Sequence, residues 1–170
     1  MCIRDRGLIV DIRNYPSEFV VFSLTTLLKA KPSKFVYFTN GHVDNPGVFT
    51  NTEALECGEH NPNPYTGKVV VLINEISQSQ AEYTTMALRS VPGTVVVGST
   101  TAGADGNVSE FMLPGGLRSM ISGIRVFYPD GTPTQRVGIV PDHTVLPTIA
   151  GVRAGKDELL EYAMKLIEGP

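Results

Sequence analysis

At 170 residues and 42% apolar content, the chain is long enough to bury one core and short enough to be a single domain. Its 14 Lys and Arg against 17 Asp and Glu leave a net charge of −3, and no basic stripe or like-charge run marks a nucleic-acid partner or a charged tail. No apolar stretch approaches the roughly 20 residues needed to span a bilayer, so no membrane span is expected.

The opening hexapeptide "MCIRDR" has neither the apolar core nor the small-residue cleavage site of a signal peptide. It resembles a translated adapter remnant. The expectation is that residues 1–6 are foreign and that native sequence continues upstream. "GLIVDIR" (7–13) then reads as a buried strand, with "NYPS" as a turn, and "FVVFSLTTLLKA" (19–30) as a helix that stops before Pro32. "KFVYFTN" is a short strand, and residues 40–66, rich in Asn, Pro and Gly, form a long loop. "KVVVLIN" (68–74) is a β-branched run typical of a strand buried on both faces. A helix over about 79–90 follows, then the strand "GTVVVGS" and the Gly-rich loop "TTAGADGN". Residues 108–131 read as antiparallel strands joined through Gly-Gly, "VGIVPDHTV" as a loop with a short strand, and "KDELLEYAMKLIEG" as an amphipathic helix. Strand and helix alternate through the first hundred residues, which predicts an α/β layer with a mostly parallel sheet.

Cys2 and Cys57 show no metal-ligand spacing, and His42, His60 and His143 form no H-x-x-x-H pair, so a zinc site is not expected. The chemistry concentrates at the bend in "LINEISQSQAEYTTMAL" (72–88). Ser77-x-x-Gln80 and Ser79-x-x-Glu82 both match the capping box that opens a helix. The same place, at the carboxyl end of a buried strand and the N-terminus of a helix, is where a nucleophile would meet backbone N–H donors for an oxyanion. Ser77 can cap while Ser79 attacks.

Four stretches, in order, carry a family resemblance. "LIVDIRNYPSE" is similar to the D-L-R-x-N-x-G-G segment of the tail-specific, C-terminal-processing serine peptidases of family S41. "SQSQAE" is similar to their S-x-S-x-S-E motif, "VVVGSTTAGADGNV" to the strand and loop that carry the base, and "DGTPTQRVGIVPD" to their G-I-x-P-D segment. The resemblance runs from Gly7 to the C-terminus and implies that residues 7–170 are the C-terminal part of such a catalytic domain. It implies a ClpP/crotonase-like spiral of β-β-α units with a mostly parallel central sheet. It implies a serine peptidase acting on peptide or protein substrates, without cofactor, in the periplasm or outside the cell. Ser79 takes the nucleophile's place, Glu82 matches the motif's helix glutamate, and the oxyanion donors fall at the N–H of Gln80 and in the turn near Ser17.

The pattern departs in two places. Ser17-Glu18 stands where the family has Gly-Gly, and the loop that should carry a lysine offers Ala104 and Asp105. Asp105 reads first as a turn residue in "ADGN" and second as a candidate base; an exposed aspartate, with a pKa of about 4, would be a weak one. A tricorn-like variant of the family instead uses an upstream histidine, and a glutamate near the position of Gln135. His143 reads as filler, and Arg13 as a strand-end ion pair. Little or no peptidase turnover is expected of the 170 residues alone, so the isolated piece is expected to be inactive. A catalytically inactive homologue that binds peptides is the alternative. A crotonase-like enzyme acting on coenzyme A thioesters fits the serine motif poorly.

Overall fold

The computed structural model describes residues 6–169. Residues 1–5, on which the expectation of a foreign leader mainly rests, lie outside the described residues, as does Cys2.

The β-branched run Lys68–Ile73 (β5) lies inside a four-stranded parallel sheet. The order is β1 (Gly7–Asp11), β5, β6 (Val95–Gly98), β10 (His143–Thr144). Its unbroken apolar character has a simple cause. Val69, Val71 and Ile73 point into a core shared with Val21, Leu28, Met86 and Leu88 of helices α1 (Val21–Leu28) and α2 (Gln80–Arg89). Val70 and Leu72 point the other way, onto Leu159 and Ala163 of helix α4 (Glu158–Glu168). Both faces are covered, so alternation disappears. Each of these buried aliphatic side chains contributes about 1.5–3 kcal/mol relative to exposure. Strand β1, at the edge, is only half-buried, where full burial is the sequence expectation.

The β5–α2–β6 unit is a parallel crossover, and its closing contact is tight. Gly98 has φ +138°, and a Cβ there would fall 1.8 Å from the Ile73 carbonyl oxygen, so only glycine lets the two strand ends meet. Helix α4 starts at Asp157, whose carboxylate accepts the Leu160 N–H at 3.0 Å, and ends before Gly169. A short helix, α3 (Ile149–Arg153), precedes it.

The rest of the chain pairs antiparallel. Strand β2 (Ser33–Gly41) is the hub for β3 (Phe49–Asn51), β4 (Leu55–Cys57) and β9 (Val126–Phe127). Strands β7 (Val108–Leu113) and β8 (Leu117–Ser122) form a separate hairpin through Gly115 and Gly116. The expected spiral of β-β-α units with a mostly parallel sheet is therefore not what forms. Among the described residues, one parallel sheet, two antiparallel groups of strands and four helices make a mixed α/β fold. The cause is connection length. A parallel neighbour needs a connection of a dozen or more residues, and the long segments between β1 and β5, β5 and β6, and β6 and β10 supply one. The Asn- and Pro-rich 40–66 stretch, read as a loop, returns as β3 and β4 through short links, which allow only antiparallel pairing.

Candidate active site

The bend after β5 separates the roles of the two serines. Ser77 is buried; its hydroxyl donates to the Ile12 carbonyl at 2.9 Å and accepts the Asn74 N–H at 3.1 Å. It ties β1 to the bend and has no freedom to react. Ser79 is half-buried and sits immediately before the first residue of α2 with φ +51° and ψ −118°. That conformation is costly for a residue with a Cβ, on the order of 1–3 kcal/mol, and such strain collects at functional turns. It lifts the serine side chain off the strand-to-helix corner, as a nucleophile elbow does.

The turn has the form of a capping box. Its firm half is the Glu82 carboxylate, which accepts the Ser79 N–H at 3.1 Å; the serine hydroxyl makes no cap hydrogen bond. Glu82 is fully buried and does more than cap. It accepts the Thr101 hydroxyl at 2.5 Å and the N–H groups of Gly103 and Ala104, each at 2.9 Å. The helix N-terminus and the Gly-rich loop are thereby clamped to one carboxylate. The Ser79 N–H also reaches the Ala104 carbonyl at 3.2 Å.

Asp105 is not the exposed turn residue the sequence leads one to expect. It is 5% exposed. Its Oδ1 accepts the Gly106 N–H at 2.8 Å, while its Oδ2 is buried with no partner. Burial pushes its pKa up to about 7, with the negative charge of Glu82 adding to the rise and the Gly106 N–H opposing it. A carboxylate of that pKa is matched to proton transfer near neutrality. Ser79 and Asp105 line the same open cleft of about 580 Å³, with Gly106, Val108, Ser122, Ile124 and Gln135 among its walls. A second, neighbouring hollow joins the same two residues to Tyr15, Phe19 and Tyr83.

Sequence reasoning noted Gln135 near the place of a glutamate in the tricorn-like variant and gave it no role. Its Nε2 lies 2.6 Å from the Asp105 carbonyl, 2.7 Å from the Ile124 carbonyl and 2.9 Å from the Ser122 hydroxyl. It pins the loop that carries Asp105. Gly106, at φ +108°, is the close-approach point, since a Cβ there would meet Gln135 Nε2 at 2.5 Å. The departure from the family's glutamate at this place was the available signal.

The oxyanion candidates stand differently. The Gln80 N–H belongs to the first turn of α2, where amides lack intrahelical acceptors, and its side chain donates to the Glu18 carbonyl at 2.9 Å. Ser17 is exposed and lines neither of the two hollows beside Ser79. Arg13 forms ion pairs with Asp11 and Asp157, each at 2.7 Å, as a strand-end residue should. His143 is exposed against Tyr162, away from the cleft.

A buried Ser90–Lys29–Cys57 network brings the side-chain chemistry of a serine–lysine centre into the core. Lys29 Nζ donates to Ser90 Oγ at 2.9 Å and to Ser33, and lies 3.5 Å from Cys57 Sγ. Lys29 is 2% exposed, Cys57 is free and buried, and Ser90 closes the C-terminal end of α2, the end opposite Ser79. Among the described residues no cluster of His, Cys, Asp or Glu could hold a metal ion, and no helix is long and apolar enough to cross a membrane.

Comparison with known proteins places this geometry. The model of peptidase family S41 matches residues 4–145. None of the curated proteins compared with the chain matches it. Among solved structures, a candidate peptidase from Parabacteroides merdae superposes with a TM-score of 0.86 at 23% identity, over 96% of this chain and 52% of that one. Mature CPAF complexed with lactacystin gives 0.75 at 18% identity, over 95% and 43%. The tricorn protease gives 0.66 at 21% identity, over 96% and 15%. At these identities the likeness is one of fold. The chain spans about half or less of the length of each.

Proposed function

Because the chain belongs to peptidase family S41, we propose that it is a serine peptidase that cleaves peptide bonds through an acyl-enzyme on Ser79. The observation that carries the reading is the strained Ser79 turn beside a buried carboxylate with an unpartnered oxygen. In this scheme the Ser79 hydroxyl attacks the scissile carbonyl and its proton passes to Asp105 Oδ2. The oxyanion faces the Gln80 N–H and the turn near Ser17. Asp105 then protonates the leaving amine, and the same residue activates the water that releases the acyl group. Glu82 does not exchange protons; it holds the turn and the loop in register. No cofactor or metal enters. Substrates are peptides or proteins, and the family resemblance supports a site of action in the periplasm or outside the cell. The motif order supports reading residues 7–170 as the C-terminal part of an S41 catalytic domain, with little or no turnover by this piece alone.

A second reading rests on the Ser90–Lys29 pair, which has the chemistry but whose lysine is buried and also bonded to Ser33. Fluorophosphonate labelling separates the two. Wild type should label, Ser79→Ala should not, and Ser90→Ala should label as wild type does. The labelling rate should climb with pH through a midpoint near 7, as Asp105 loses its proton. Labelling that survives Ser79→Ala and vanishes in Ser90→Ala would transfer the nucleophile to Ser90. No labelling at all would favour a catalytically inactive homologue that binds peptides.

A further inference from the structure

Arg125 and Arg136 stand in the wall of the Ser79 cleft, and the same two arginines line a neighbouring hollow of about 260 Å³. Among the described residues that line this hollow they alone are charged, and Val126, Phe127 and Pro133 supply apolar surface. Neither arginine takes part in an ion pair among the described residues, where Arg13 and Arg89 make all three. Neither balances Asp105, since the charge that acts on that carboxyl is that of Glu82. The whole chain carries a net charge of −3, so two unpaired cations on one hollow run against the charge of the molecule.

Each arginine is held in place by its surroundings. The Arg125 guanidinium lies over the Phe49 ring, 5.9 Å from its centroid, and Phe49 is itself a wall of the cleft. Such stacking covers a face of the guanidinium and leaves its edge N–H donors free. Arg136 has φ +65°; with Ser79 at +51° it is one of two non-glycine residues in the left-handed region among the described residues, and both line this cleft. Its N–H donates to the Gly103 carbonyl at 2.7 Å, and the Gly138 N–H closes the turn on the Thr134 carbonyl at 2.7 Å. Glycine or asparagine would take that conformation with less strain. A strained arginine in a cleft wall points to a use for its side chain.

We propose that Arg125 and Arg136 form a subsite for an acidic side chain of the substrate, so that polypeptides with Asp or Glu close to the bond at Ser79 are preferred. The proposal rests on the reading of Ser79 as the nucleophile and deepens it by naming the substrate class. A guanidinium presents paired N–H donors in the geometry of a carboxylate. The apolar surface of the hollow displaces water around the pair and strengthens it.

The test reads binding to the 170-residue chain carrying Ser79→Ala, so that nothing is consumed. The probes are N-acetylated, C-amidated alanine octapeptides with one central glutamate or one central glutamine, titrated against the amide resonances of the protein. The glutamate peptide should bind at least about tenfold tighter than its twin. Arg125→Gln and Arg136→Asn should each cut that preference at least about threefold, and the double variant should abolish it. Asparagine accepts positive φ, so the turn stays formed, and an unfolding midpoint no lower than the parent's checks it. Added salt should narrow the preference. Equal binding of the two peptides, or none of either, overturns the proposal, as does a preference that survives the double variant. A glutamine peptide with a free C-terminal carboxylate is the third probe. If it binds as tightly as the glutamate peptide, the arginines belong to a chain end and the proposal falls. Arginine-dependent preference without fluorophosphonate labelling of Ser79 in the intact chain would uphold the subsite and remove the nucleophile reading; labelling without preference would do the reverse.

Discussion

Helix α2 carries a serine at each end, and the two ends are built on opposite terms. At the C-terminal end, Ser90, Ser33 and Cys57 surround the Lys29 ammonium, and Ser90 also donates to the Ala87 carbonyl. Every polar group there has a partner, and Lys29 and Cys57 are buried. At the N-terminal end, Ser79 is held in a left-handed conformation, and Asp105 beside it is buried with one oxygen unpartnered. The contrast teaches how to tell structural polarity from reactive polarity. Residue type does not decide, since the serine–lysine pair is at the closed end. Unsatisfied hydrogen-bonding capacity in the wall of a cleft does.

The comparison breaks most easily at Glu82. Replacing it with alanine orphans the Thr101 hydroxyl proton and the Gly103 and Ala104 amides together, and leaves the Ser79 amide only its bond to the Ala104 carbonyl. Urea denaturation should register a loss of about 3–5 kcal/mol, and Ser79 labelling should vanish with it. Asp105→Asn tests the open end through pH. The native pKa of about 7 lies above that of an unfolded aspartate. The folded state therefore bears a penalty that is absent below about pH 4, grows as pH rises, and is complete above 7. The asparagine variant should be more stable than wild type by about 4 kcal/mol at pH 8 and nearly equal to it at pH 4. A gain that does not change with pH would mean that Asp105 is not an isolated buried carboxylate.

Two smaller effects sharpen the contrast. Ser79→Gly should be more stable than Ser79→Ala by about 1 kcal/mol in denaturant titrations, because only glycine takes φ +51° without strain. At the other end, Ser90→Ala should cost about 1 kcal/mol, the ordinary worth of a hydrogen bond. It should leave the Ser79 labelling rate where it was. A slowed rate would show that the two ends are coupled.

What could be read from the residues follows the range of the forces involved. The "KVVVLIN" strand and the helix after it are local patterns, and they form within one or two residues of the expected bounds. The capping box placed Ser79 at the head of α2 for the same reason. The burial of Asp105 is not local. It depends on Gln135, 30 residues away, reaching its carbonyl, and on Glu82 drawing the loop inward. No pattern around "ADGN" announces that. Lys29 looks like a solvated residue at a helix end until β4 and the end of α2 close over it. The expected spiral came from the resemblance, and it fails where β2 gathers three antiparallel partners that resemblance did not register.

The Glu82 clamp has a consequence for motion. Ser79 donates to both Glu82 and Ala104, Ala102 donates to the Ser77 carbonyl, Arg136 donates to the Gly103 carbonyl, and Gln135 holds the Asp105 carbonyl. These bonds run in both directions between three segments, so none can swing away while the others stay. The amides of Ser79, Gly103 and Ala104 should then exchange with deuterium at one shared rate, set by a single cooperative opening. A site latched in this way has two states, assembled and dismantled, with no half-formed geometry in which a water molecule could be activated without a substrate in register.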